Sequence, residues 1–465
     1  MMDWDTLTPL TALTHLDGRN SRKVTPLKSI FSEYAWMKSR LGVMSKYLAY
    51  ISFALTKRAL PLSEEKKLQA IEDSFSLSDA KTVREIERTT NHDLKALEVY
   101  FESSLKKQGL CRLIPYINIG IGSEDINNIS LGITFHSGRG EVLVPAIGRV
   151  ARALAELAKV EEKTSMIGRT HAQPANVTTF GKECANPLSR LCDEIEYFTS
   201  LPLSAKCGGE VGSFQAFMGV DASVDWIRFT DTFVRGFGLK PTHTATQIAP
   251  YDSMVRFLQS LYRINSIFLD LCKNMWLYVL LGYLNVKKID AEVGSAGMPH
   301  KVNPIFFEGA EGGLETANGI IELLVRKLPI NRLQRDFSDS TMRRNLVLPF
   351  AFSLLSYQSL EEAFKRVTVD REMIAKDLKS HAEVWTETIK VYGTMHGVEH
   401  MYDRLKEATR GRVVSFADLL NIVNSLPLKE KEKQELMILC DGHHNPYPGR
   451  IVDEVVRRAR KVFHF

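Results

Sequence analysis

MVRFLQSLYRINSIFLDLCKNMWLYV, residues 254–279, sets Phe257, Leu261, Ile264, Phe268, Leu271, Met275 and Val279 three or four residues apart. That spacing lines one face of an α-helix and persists for roughly eight turns. A helix so much longer than the globular average needs long partners to cover its apolar face. Val144–Val160 repeats the pattern with Ile147, Val150, Ala151, Leu154, Leu157 and Ala158. Period-two alternation is scarce. The chain therefore reads as all-α, with an elongated helical bundle in its middle.

At 465 residues the chain exceeds one compact core, and its length favours several domains. Soft breaks at Gln108–Ile114 and near Arg366–Asp370 suggest three: 1–112, 113–365 and 366–465. With 44% hydrophobic and 25% charged residues, the composition is that of a globular protein and excludes a fibrous or disordered one. A net charge of +5 is too small to argue for nucleic acid, but it suits an anionic small molecule. The cysteines at 111, 184, 192, 207, 272 and 440 are scattered, without metal spacing, and read as reduced, buried thiols of a cytoplasmic protein. MMDWDTLTPL lacks the layout of a secretion signal. The most apolar run, Met275–Leu284, has ten residues, and Arg256, Arg263, Asp270 and Lys273 precede it, so a core helix is expected and no membrane span.

Two glycine-rich segments interrupt the helical text, Lys206–Gly212 (KCGGEVG) and Val293–Gly297 (VGSAG). The second opens Gly294–Glu308, GSAGMPHKVNPIFFE. Here Asn303 suits a helix N-cap, Pro304 the first helical position, and Val302 with Phe307 a hydrophobic staple. Lys301 beside the positive helix end would attract anionic oxygen. A capped helix after a loop accounts for Asn303 and Pro304, but not for the Gly-Ser-Ala-Gly run next to Lys301.

The pattern GS-x-x-MP-x-K-x-NP resembles the signature of the fumarase/aspartase superfamily. Arg169–Glu183 (RTHAQPANVTTFGKE) is similar to its T-H-x-Q-x-A segment. Asp17-Gly18-Arg19, Arg88–Lys95 (RTTNHDLK), Ser123–Asn128 (SEDINN), Thr246–Asp252 (TQIAPYD) and Gln334–Asn345 (QRDFSDSTMRRN) look like the adenylosuccinate lyase family, bacterial long form. The resemblance runs from about Asp17 to about Arg450. It implies a three-domain, all-α fold, assembled as a homotetramer whose sites are completed by three chains. It implies β-elimination of fumarate from a succinyl-amine nucleotide, with no cofactor or metal.

By the same resemblance Ser295 is the general base, Lys301 stabilises it, His171 protonates the leaving nitrogen, and Glu308 orients that histidine. Arg19, Arg335, Ser340 and Arg344 would hold the phosphate; a fork of arginines with a hydroxyl is also what phosphate chemistry requires. His92, Asp93, Ser123, Gln247, Lys301 and Asn303 would meet the base and succinyl carboxylates, with Asn91, Glu124 and Thr170 from the same blocks also touching substrate. Arg343 suits a solvated helix face as well as Arg344 does.

Departures from the family pattern sit in the substrate shell. Asn118 stands where a histidine is expected, Gly122 where a threonine is, and Asn20 follows DGR in place of tyrosine. Ala296-Gly297 replaces the second serine and its neighbour, and Glu210 puts a carboxylate into an ordinarily apolar stretch. A retargeted homologue with another succinyl-amine substrate, or a non-catalytic helical assembly, is the alternative reading; the joint presence of Ser295, His171, Lys301 and Glu308 speaks against the non-catalytic one. His396-x-x-x-His400 has metal-compatible helix spacing but no third ligand, and His443-His444 reads as a surface turn.

Overall fold

The computed structural model describes residues 8–289, 298, 300–442 and 444–465. It is built of helices, as expected, and the 254–279 stretch lies within one helix, Asp252–Leu280, of 29 residues. Val144–Val160 is also helical, and it continues without interruption from Ser123–Ser137 through a π-helical turn at Gly138–Leu143. Among the described residues no helix is long and apolar enough to cross a membrane.

The chain forms two compact units, one comprising Met1–Pro145, Tyr197–Arg263 and Thr316–Leu355, the other Ala146–Glu196, Ile264–Glu315 and Ser356–Phe465. The division falls inside the helices Val144–Val160, Phe180–Ser200, Asp252–Leu280, Ile305–Lys327 and Val347–Lys365. In the first unit Phe257 packs on Phe135, Phe198 and Phe350, at ring separations of 5.1, 4.7 and 5.6 Å. In the second, the rings of Phe268 and Tyr357 lie 5.0 Å apart. A further cluster around Trp385, Leu419 and Leu436 in that unit includes Ile167.

Short strands occur in three two-stranded ladders, which the scarce alternation in the sequence had concealed. Two of them have only two or three residues per strand; the third, Ser165–Thr170 with Gln173–Thr179, is a hairpin. The helix after KVNP starts at Ile305, one residue later than expected. The Pro304 carbonyl accepts the N–H groups of Phe307 and Glu308, and Val302 is exposed. All six cysteines are free, but Cys111 is exposed. His396 and His400 do not share a helix: one follows Thr386–Met395, the other precedes Met401–Thr409 in a left-handed conformation with φ 56°.

The glycine-rich 206–212 segment is held in the first unit by a buried ion pair, Lys206 Nζ to Asp125 Oδ1 at 2.8 Å, with side-chain exposures of 1% and 0%. Asp125 also accepts the N–H groups of Gly122, Gly208 and Gly209 at 2.8–3.0 Å. Removing one member of such a pair leaves an uncompensated buried charge, which costs about 3–5 kcal/mol. Lys206→Met should therefore lower the unfolding free energy obtained from urea titration by a comparable amount; an unchanged value would show that the pair does not hold this segment.

Candidate active site

Residues 91–93 form a corner between two helices. Asn91 ends Leu77–Thr90 in the left-handed conformation, φ 50°, which asparagine tolerates better than most residues. His92 caps Asp93–Lys107 by accepting the Lys95 N–H on Nδ1 at 3.2 Å. Its neutral form therefore carries hydrogen on Nε2. Asp93 pairs with Arg40 at 2.7 Å. Burial alone would raise the Asp93 carboxyl, but Arg40 outweighs it and holds it below the usual range. Arg40 itself is almost wholly buried, lies over the Trp36 ring at 4.6 Å and has no partner for Nε.

The second element is the start of Ser123–Ser137, where Glu124 is buried at 2% side-chain exposure. Arg343 forks onto it with contacts of 2.7 and 3.2 Å, and Arg335 Nη1 reaches it at 3.2 Å. Burial opposes ionisation of Glu124, yet these two guanidiniums win and its carboxyl is lowered. Arg335 also donates to Ser340 Oγ at 2.8 Å and to Asp339 at 3.4 Å. Asp339 accepts in turn from the hydroxyl of Tyr251 at 3.0 Å; burial pushes that phenol well up.

These elements enclose a cavity of about 880 Å³ whose lining includes Asn91, His92, Asp93, Ser123, Glu124, Arg335, Ser340 and Arg344. Eight of the residues expected to bind substrate thus meet in one place, within one unit. A smaller cavity of about 300 Å³ shares His92 and Ser123 with it and adds Asn118, Gly122 and Glu210. Gln247 lies between the two sets, donating to Glu210 at 2.8 Å and accepting from Arg335 at 3.4 Å.

Other expected residues lie elsewhere. Arg19 is exposed and lines neither cavity. Thr170, His171, Lys301, Asn303 and Glu308 belong to the second unit. His171 and Ala172 form the two-residue turn of the 165–179 hairpin with φ of 53° and 62°, so the imidazole stands exposed at its tip. Lys301 is exposed, and Glu308 accepts from Trp276 Nε1 at 3.1 Å. Among the described residues no hydrogen bond joins His171 to Glu308. Ser295, with Gly294, Ala296 and Gly297, lies outside the described residues.

A family model described as Lyase matches residues 18–319, and one described as Adenylosuccinate lyase C-terminal matches 331–443. Adenylosuccinate lyase from Haemophilus influenzae is 36% identical over 453 residues, covering 97% of this chain and 99% of the relative. The chain belongs to the adenylosuccinate lyase family. The Dictyostelium discoideum adenylosuccinate lyase is 36% identical over 448 residues, covering 93% of this chain and 96% of its own. In fold, the chain is similar to 3-carboxy-cis,cis-muconate lactonizing enzyme from Pseudomonas putida, with a TM-score of 0.73, 18% identity and coverage of 94% and 97%. Fumarate lyase from Mesorhizobium sp. BNC1 matches equally, at a TM-score of 0.73 and 16% identity over 93% and 97%.

For this adenylosuccinate lyase family member, Arg343 corrects the sequence reading. It does not lie on a solvated face but is 14% exposed and clamps Glu124, whereas Arg344 beside it is exposed. Only the spacing of Arg343 from Ser340 and Asp339 could have hinted at this, since its partner is 219 residues away. Asp93 and Arg40 were likewise separable only in space. Arg343→Met should destabilise the fold by about 1–3 kcal/mol, less than for a fully orphaned partner because Arg335 still holds Glu124. The folded-state Glu124 carboxyl is lowered from 4.5, so its contribution is present above that value and is lost as pH falls through its folded value. Denaturation of both proteins should accordingly show the full gap at neutral pH and a closing gap in acid; a gap that widens in acid would overturn the assignment.

Proposed function

We propose that the chain cleaves adenylosuccinate to fumarate and AMP, and performs the same elimination on the succinylaminoimidazole carboxamide nucleotide of purine biosynthesis. The observation that carries this reading furthest is the 880 Å³ cavity, where Arg335, Ser340 and Arg344 face the 91–93 corner and Ser123. Planar guanidiniums with a hydroxyl suit a phosphate, and the exposed Arg344 brings charge that no acid in the buried network neutralises. Arg19 joins them in this proposal.

The reaction begins with removal of a proton from the succinyl carbon beside a carboxylate. Ser295 is the proposed base, and Lys301 lowers the cost of its alkoxide. The carbanion spreads into that carboxylate, where Lys301 and backbone amides stabilise it. His171 then gives a proton to the departing nitrogen as the carbon–nitrogen bond breaks. A histidine at the tip of a two-residue turn with both φ values positive is presented outward, away from its own hairpin. Glu308 is proposed to orient it in the assembled enzyme. Thr170, Asn303, Asn91, His92, Asp93, Glu124 and Gln247 complete the substrate contacts. No oxidation change occurs, so the elimination itself calls for no redox cofactor. We further propose a homotetramer with shared sites, working in the cytoplasm.

Fumarate formation, followed by ultraviolet absorbance, tests the activity directly. Ser295→Ala should lose orders of magnitude in kcat while substrate affinity stays close to normal, because a base acts in the transition state. Near-normal turnover in that variant would remove Ser295 from the role. Arg335→Lys keeps the charge but loses the planar fork, so KM should rise about tenfold. An unchanged KM would place the phosphate elsewhere.

A further inference from the structure

The two departures Gly122 and Glu210 are one feature in space. A methyl group built on Gly122 would lie 2.7 Å from Glu210 Oε1 and 2.8 Å from its Cδ. The carboxylate therefore occupies the space that a side chain at position 122 would fill. Asp125 holds Gly122 and the two residues before Glu210, accepting the N–H of Gly122 on one side and those of Gly208 and Gly209 on the other. From there Glu210 Oε2 accepts the Gln247 Nε2–H at 2.8 Å. A carboxylate only accepts and a guanidinium only donates, so the Gln247 amide has a single orientation: nitrogen to Glu210, oxygen to Arg335 Nη1 at 3.4 Å. The Gln247 backbone N–H meets the carbonyl of Gln334, which precedes Arg335. Arg335 carries the chain on to Ser340 and Glu124 in the larger cavity. Asn118 offers no substitute, because its amide donates to Glu98 at 3.2 Å.

We infer that Glu210 is a positioning residue of the substrate site, seated in the space that Gly122 leaves open, and that it acts through Gln247 on Arg335. The inference rests on the function proposed above. Its physical content is the coupling between positions 122 and 210. Glu210 is flexible enough to swing away from an added side chain, and that swing moves its carboxylate from the position in which it accepts Gln247. Gly122→Ala and Glu210→Ala thus remove the same contact by different routes.

The test is a kinetic cycle on the full-length chain with adenylosuccinate, comparing Gly122→Ala, Glu210→Ala, the double variant and Glu210→Gln. Loss of a hydrogen bond to a charged group predicts that each alanine variant raises KM about tenfold, with a smaller change in kcat. The double variant should be no worse than the poorer single. Glu210→Gln keeps an acceptor for Gln247 and should stay within about threefold of the parent. An unchanged KM in Glu210→Ala, including one accompanied by a fall in melting temperature, overturns the inference. So do losses that multiply in the double variant. If the parent chain releases no fumarate, the proposed reaction fails instead. The same cycle is then read from calorimetric dissociation constants for adenylosuccinate, with the same criteria, and absence of binding overturns both.

Discussion

The first unit is organised around one buried carboxylate. Asp125 has no solvent exposure and meets an ammonium and three backbone N–H groups. A buried ion pair of this kind adds little net stability, since the desolvation of both charges offsets their attraction. Its effect is geometric. It ties the start of the Ser123–Ser137 helix to a segment more than eighty positions later, and neither can shift without exposing a charge to an apolar interior.

That tie sets the start of the helix that lines both cavities. Ser123, Glu124 and Asp125 are consecutive on the first turn of one helix, so they point about 100° apart. Asp125 faces the glycine-rich segment, Glu124 faces Arg335 and Arg343, and Ser123 lines both cavities. Within the arginine network Glu124 and Asp339 balance Arg335 and Arg343. Of the three neighbouring arginines it is therefore the exposed Arg344 whose charge this network leaves unbalanced.

The second unit solves a different problem. The 165–179 hairpin must hold a histidine in a left-handed turn, a conformation that costs a non-glycine residue roughly 1–2 kcal/mol. Its strands are secured from behind: Ile167 enters the Trp385 cluster, and Arg169 bonds Tyr283 and Asp377 at 2.9 and 2.7 Å. Packing on one face lets the tip stay exposed and strained on the other.

Sequence alone determined what is local or periodic. The apolar stripe of Asp252–Leu280 and that of Val144–Val160 specify helices because a 3.6-residue repeat has no other use for that spacing. The NHD corner, the SED helix start and the arginine block were legible as motifs, and the structure brings eight of their residues to one cavity. Only tertiary structure decided the rest, because it depends on partners far apart in the chain. Arg343 and Arg344 are adjacent and chemically identical, yet one is buried on Glu124 and the other faces solvent. The 165–179 hairpin escaped the periodicity argument because its strands are fastened by Ile167 and Arg169 to distant helices rather than by alternation. Gly122 and Glu210 looked like two separate departures from a family pattern. The Glu210 carboxylate makes them one, since it occupies the space that a side chain at position 122 would fill.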